Sequence, residues 1–230
     1  MLRWPFGLEA KRLRLLREAP AGPLRNYLEA PFPDKRQPIT ETPLLAMDFE
    51  TTGLDPQQDH LLSVGYVQIQ RGRVALRTAR HRIIRSKRAM QGQNVAIHRI
   101  TDDLVAAGAP LEEIIAELLQ QLRGRVLLAH HARVEVTFLQ QACKTLYGMA
   151  PVMPVIDTMQ LAQRGFKQRH QPIESGSLRL FNLRERHGLP RYRAHNALCD
   201  AIATAELFLV QVANSYRRKP PPLKNFLLRA

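Results

Sequence analysis

Cysteine is scarce in this chain of 230 residues: there are two, Cys143 and Cys199. They have no metal-ligand spacing, and a single pair cannot make the disulfide framework of a small secreted domain, so both read as reduced core thiols. Long apolar runs are missing too. None approaches the ~18 to 20 residues that a membrane span requires, and the opening "MLRWPFGLEAKR" has no apolar signal region. The expectation is a cytoplasmic protein without a membrane partner. Repeats and low-complexity tracts are absent as well. Acidic residues are few where bases are many: residues 1–25 hold six Lys/Arg against two acids, residues 164–193 eight against two, and residues 217–230 five against none. These segments carry the whole of the +14 net charge and leave the rest near neutral. A polyanionic partner is the economical reason, because each neutralised phosphate releases condensed counterions. A solvated basic surface kept for solubility is the competing reading.

Hydrophobic residues make up 45% of the chain, enough for a sizeable core. Residues 8–18 form a short amphipathic helix, after which a Pro- and Gly-rich stretch runs to about 42, so residues 1–42 read as an extension. The run 43–50 is a strand. Two further Val/Ile/Leu-rich runs flank Arg71-Gly72-Arg73, a hairpin signal that makes three strands in antiparallel meander. Thr101 caps a short helix, and Pro110 opens another from Leu111 to about Leu122. "RVLLA" at 125–129 is a buried strand, followed by a helix over about 134–146. A strand ending near Ile156 is again followed by a helix. Residues 165–176 read as a polar, basic loop, and "SLRLFNLRERHGL" and "HNALCDAIATAELFLVQVANSYR" as helices. The order predicts an α/β fold with a mixed sheet of five strands. The main body spans 43–216, and the basic tail 217–230, with its proline run, reads as poorly anchored.

Three acidic constellations stand out. In "LLAMDFETTG" (44–53), Asp48 and Glu50 project from one face of a strand that is otherwise apolar. They are either solvated acids at a strand end or two like charges awaiting a cation. Glu135, in "AHHARVEVTFL", opens the helix after "RVLLA". His195 and Asp200, in "HNALCDAIATAELF", stand five apart, about 140° on a regular helix, so they share a face only if His195 lies in the loop or the first turn. Asp48, Glu50 and Glu135 all fall at carboxyl ends of strands, where sites gather in sheets of this type.

The three motifs, in this order, resemble those of the DnaQ-like DEDDh 3′-to-5′ exonuclease superfamily, which includes the proofreading epsilon subunit of bacterial DNA polymerase III. The resemblance covers about 43–213, including "AIHRIT", similar to the family's "IHGIT", and "SLRLFNLRERHGL". It implies a ribonuclease H-like fold with helices on both faces of the sheet. It also implies two Mg²⁺ or Mn²⁺ ions held by Asp48, Glu50 and Asp200, with His195 as the general base. Glu135 would act as the remaining catalytic acid, and Thr51, Thr52, Gly53, His98, Arg99 and His131 would face the substrate. The chemistry agrees: hard oxygen ligands without Cys suit these ions, and a histidine of ordinary pKa suits proton abstraction at neutral pH.

The chain departs from the family pattern in places. "HHARVE" puts His131, Val134 and Glu135 where the family has the Asn, Phe and Asp of "HNAxFD", and Arg99 replaces the Gly of "IHGIT". Glu keeps the charge of Asp and adds a methylene. The expected function is release of nucleoside 5′-monophosphates from single-stranded 3′ ends, DNA or RNA, by a freestanding repair or processing nuclease. The alternatives are a catalytically weakened nucleic-acid-binding or scaffold relative and a polymerase proofreading subunit. The extension 1–42 is the candidate docking element for a protein partner.

Overall fold

The sheet grows outward from a strand buried on both faces. In the computed structural model, which describes residues 7–85, 104, 106–192 and 195–228, β1 (Leu44–Thr51) is buried except at Asp48 and Thr51. It pairs antiparallel with β2 (Leu61–Gln70), Leu44 opposite Ile69 and Asp48 opposite Gly65. A turn at Arg71 and Gly72, with φ of 50° and 66°, then leads into β3 (Arg73–Ile83). Two left-handed residues in succession make the primed turn whose twist matches the strands, which bears out the hairpin. β3 is the half-exposed edge, and its outward arginines keep it from pairing with other chains. On the other side, β1 pairs parallel with β4 (Val126–Ala129), and β4 with β5 (Val155–Asp157). The order is β3-β2-β1-β4-β5, the mixed five-stranded sheet that was expected.

Alternation along β1 splits the core in two. Leu45, Met47 and Phe49 face α2 (Pro23–Glu29), α3 (Leu111–Leu122) and α4 (Arg133–Tyr147), where Leu24, Tyr27, Ile115, Leu118, Leu119 and Phe138 are buried. Leu44 and Ala46 face α7 (Ala197–Ala213), through Ala205, Phe208 and Val212. Asp48 and Glu50 share their parity and belong to this second face. α5 (Thr158–Gln168) and α6 (Leu180–Arg186) pack on α7 around Phe166, Leu183 and Leu207. Both cysteines are free.

Three expectations need correction. The tail is firmly packed: Leu223 and Phe226 are buried, Phe226 meets Phe208 edge-on at 6.0 Å, and Leu227 bridges Ile156 on the edge strand. Pro220, Pro221 and Pro222 fix an extended backbone beside residues 35–39, where Ile39 N–H donates to Pro221 O at 3.0 Å and Leu223 N–H to Gln37 O at 2.9 Å. The loop expected over 165–176 begins only after Gln168, because Phe166 is buried and carries α5 through polar neighbours. Finally, "SLRLFNLRERHGL" is helical only over Leu180–Arg186. The extension, for its part, contributes α2 to the main core, and Tyr27 Oη donates to Val152 O at 2.8 Å. α1 (Leu8–Glu18) is tied to α2 by buried Arg12, which donates to Leu28 O. The helix expected at Thr101 lies outside the described residues.

Candidate active site

Gly65 decides how close the last helix comes to the sheet. A Cβ there would overlap the backbone of Ala197 and Leu198, so only glycine lets the first turn of α7 lie on β2. Because Gly65 is the cross-strand neighbour of Asp48, the same close approach delivers Asp200 to the two acids of β1. Carboxylate oxygens of Asp48, Glu50 and Asp200 lie within 4.8 Å of one another. Asn196 starts the helix, its Oδ1 accepting from Cys199 N–H at 3.0 Å. His195 sits just before it at φ 66°, and its backbone N–H donates to Asp200 Oδ2 at 3.1 Å. It is thus in the loop, the placement under which it shares the face of Asp200, and its side chain is exposed.

Glu135 enters from the opposite face of the sheet, in the first turn of α4. It is buried and is not one of the three acids that converge within 4.8 Å. Its field is nonetheless felt at Asp48. Burial first, then Glu135, Asp200 and Glu50, hold the Asp48 carboxyl well above the usual carboxylate range. Burial raises Glu135 to about 8 and Asp200 to about 7, the latter opposed by the His195 N–H. Oδ1 of Asp200 and Oε2 of Glu135 are buried and accept no hydrogen bond among the described residues. Orphaned acceptors in a cluster of like charges are costly without a cation, so the donor set fits hard divalent ions.

Asp157, which sequence reasoning passed over, organises the second motif. It caps α5 through Met159 N–H at 2.9 Å, and also accepts from His131 N–H at 3.1 Å and Ala132 N–H at 3.2 Å. These bonds hold His131 at φ 66° and fix where α4, and so Glu135, begins. The signal was available: Asp followed by Thr at a strand end is an N-cap pattern. His130 is also tied down, by Thr158 Oγ1 at 2.7 Å and Leu178 O at 3.0 Å, and burial lowers it to about 4, so the ring is neutral at pH 7. The His131 side chain is exposed. Thr51 and Thr52 spend their hydroxyls within the loop, on Gly53 O at 2.6 Å and Asp59 Oδ1 at 3.0 Å, and a Cβ on Gly53 would strike Asp59. His98 and Arg99 lie outside the described residues.

A second support, also unforeseen, stands behind the His195 loop. Arg184 is buried and donates to Ala203 O at 2.7 Å and Pro190 O at 2.9 Å. It lies 2.8 Å from Glu206 Oε2 and 4.5 Å over the Tyr192 ring, whose Oη donates to Glu206. Pro190 and Tyr192 are therefore clamped to α7.

The profile of a family described as Exonuclease matches residues 45–208, a span that includes all four acids and His195. The chain belongs to this exonuclease family. A DNA polymerase III subunit epsilon of Treponema pallidum is 32% identical over 171 residues, covering 74% of this chain and 76% of that protein. A PolC-type DNA polymerase III of Thermotoga petrophila is 34% identical over 165 residues, but the chain spans only 11% of its length. Among solved structures, the nuclease domain of 3′hExo, a DEDDh family member bound to rAMP, superposes with a TM-score of 0.65 at 14% identity, over 80% of this chain and all of that one. Exonuclease I of E. coli bound to single-stranded DNA gives 0.64 at 16% identity, over 76% of this chain and 41% of that one. These likenesses carry the ribonuclease H-like fold of the exonuclease family. No helix among the described residues is long and apolar enough to cross a membrane.

Proposed function

We propose that the chain is a 3′-to-5′ exonuclease that hydrolyses the terminal phosphodiester of a nucleic-acid strand, single-stranded DNA above all, and releases nucleoside 5′-monophosphates. The observation that carries this is the convergence of Asp48, Glu50 and Asp200 within 4.8 Å, beside a histidine loop fixed to Asp200. Asp48, Glu50 and Asp200 would hold two Mg²⁺ or Mn²⁺ ions. When bound, such ions supply charge neutralisation to the entering and leaving oxygens of an in-line displacement. His195 takes the proton of the attacking water on an imidazole nitrogen, its reach set by the Asn196 cap and the Arg184 clamp. Glu135 holds negative charge behind Asp48. Thr51, Thr52, Gly53 and His131, with His98 and Arg99, are the residues we assign to the terminal nucleotide.

Glu135, in place of the family's Asp, favours a second reading, a binding protein with a weakened site. The epsilon relative favours a third, a proofreading subunit acting beside a polymerase, with residues 1–42 as the docking element. Digestion of end-labelled single-stranded DNA, duplex DNA and RNA separates the first two. Stepwise loss of mononucleotides from 3′ ends with Mg²⁺ or Mn²⁺, abolished by EDTA, is the expected result. Binding without cleavage under every metal condition would sustain the weakened-site reading instead.

A further inference from the structure

At the far end of α7 from Asp200, a cavity of about 460 Å³ lies between the ends of α5, α6 and α7 and the folded-back tail. Its wall carries Arg164, Arg169, Arg186 and His187, and no acid. Arg186 and Arg169 lie over the Phe166 ring at 4.6 and 6.0 Å from its centroid, and both donate to Gln171 Oε1, at 3.1 and 3.3 Å. Gln171 is neutral, and neither guanidinium meets a carboxylate among the described residues. Arg164 is fixed beside them, donating to Leu227 O at 3.2 Å. The exposed Arg217, Arg218 and Lys219 leave the wall at Ser215 and rejoin it at Pro221, so they stand at its rim. The three guanidinium groups of the wall, with His187 held toward its neutral form by burial and by Arg169 and Arg186, repel one another unless an anion lies between them. Guanidinium groups over an aromatic ring are held in place by cation–π attraction and keep their in-plane N–H donors for an oxyanion.

We propose that this cavity binds backbone phosphates of the same strand whose 3′ end occupies the active site, a reading that rests on the exonuclease assignment. Fourteen residues of α7 separate Asp200 from Asn214 on the cavity wall, about 20 Å along a helix axis. A strand stacked at about 3.4 Å per nucleotide reaches it with about six nucleotides. Short substrates use the acidic site alone. Longer ones gain a second hold, which keeps the strand on the protein between cleavages.

The test compares fluorescein-labelled dT5 and dT20, titrated in EDTA so that binding is read without cleavage. Arg169→Gln/Arg186→Gln should weaken dT20 binding by about tenfold at low salt and lower its log–log salt slope by about 0.7 to 1.4, one or two single-strand phosphates. Binding of dT5, and its cleavage with Mn²⁺, should not change. The control Arg123→Gln/Lys144→Gln removes the same charge from exposed positions outside the cavity wall. Equal losses for dT5 and dT20, or as large a loss in the control, would overturn the proposal. So would loss of AMP binding in the double variant with the dT20 slope intact, since the cavity would then serve a free nucleotide. Failure of the exonuclease assignment shows separately, as absent cleavage of dT5 by the unaltered protein.

Discussion

Burial and three neighbouring carboxylates raise the Asp48 carboxyl, and Asp200 and Glu135 titrate near 7 and 8. Groups whose folded pKa lies above the unfolded value bind more protons when folded, so their contribution to stability is fully present below about pH 4 and is lost as pH rises through about 7 to 8. The metal-free protein should therefore melt at a lower temperature at pH 8.5 than at pH 6 in EDTA, and Mg²⁺ or Mn²⁺ should restore the loss. Asp48→Asn should remove cleavage, raise the melting temperature in EDTA at pH 8.5, and blunt the metal response. A melting temperature indifferent to both pH and metal would contradict a cation site here. Glu135 is a subtler case. It stands one step back from the three converging acids, so Glu135→Asp should change the cleavage rate by less than about tenfold, or ~1.4 kcal/mol. Glu135→Gln, which removes the charge near Asp48, should cost more and be partly rescued by higher metal concentration, as rates over a metal series would show. The acids were legible through three motifs that resemble a family's in the same order, since the D-x-E pair alone reads equally as solvated acids at a strand end. Asp157 and Asn196 were passed over because a cap is recognised by where a helix starts, and that depends on the strand before it.

At the scale of elements, the strands announced themselves through apolar runs and one turn, whereas the placing of α7 did not. Gly65 in a strand pattern says only that some backbone comes near, and nothing in the sequence identifies that backbone as Ala197 and Leu198. Gly65→Ala should force α7 off the sheet, cost about 1 to 3 kcal/mol as overpacking, and draw Asp200 away from Asp48. Denaturant melts would read the first effect, and metal titration the second as weaker binding than in the unaltered protein. Gly7→Ala, at a position with open space around it, is the matched control. If the Gly65 variant kept full metal affinity, the acids would not depend on this contact. The Arg184 clamp was hidden for a similar reason: a buried arginine looks like surface charge until Ala203, Pro190, Tyr192 and Glu206 are known to surround it.

Across the whole molecule, charge read from sequence located the basic segments but misjudged how one of them is held. Five Lys/Arg in residues 217–230 drew attention away from Leu223 and Phe226, three apart, which turn inward and seal the end of the α7 face of the core. The tail thus has two separable roles, an apolar anchor and a basic rim, and deleting it would confound them. Phe226→Ala should lower stability by about 3 kcal/mol, the usual cost of emptying a buried aromatic site, as measured by denaturant unfolding. Neutralising the rim with Arg217→Gln, Arg218→Gln and Lys219→Gln, all exposed, should leave unfolding unchanged and weaken single-strand binding most at low salt. The two variants should also differ in reverse: at temperatures where Phe226→Ala remains folded, its salt slope for oligonucleotide binding should stay close to that of the unaltered chain. If the rim variant instead unfolded early while keeping its affinity, the tail's charges would be part of the scaffold and the basic end of the molecule would have no electrostatic role.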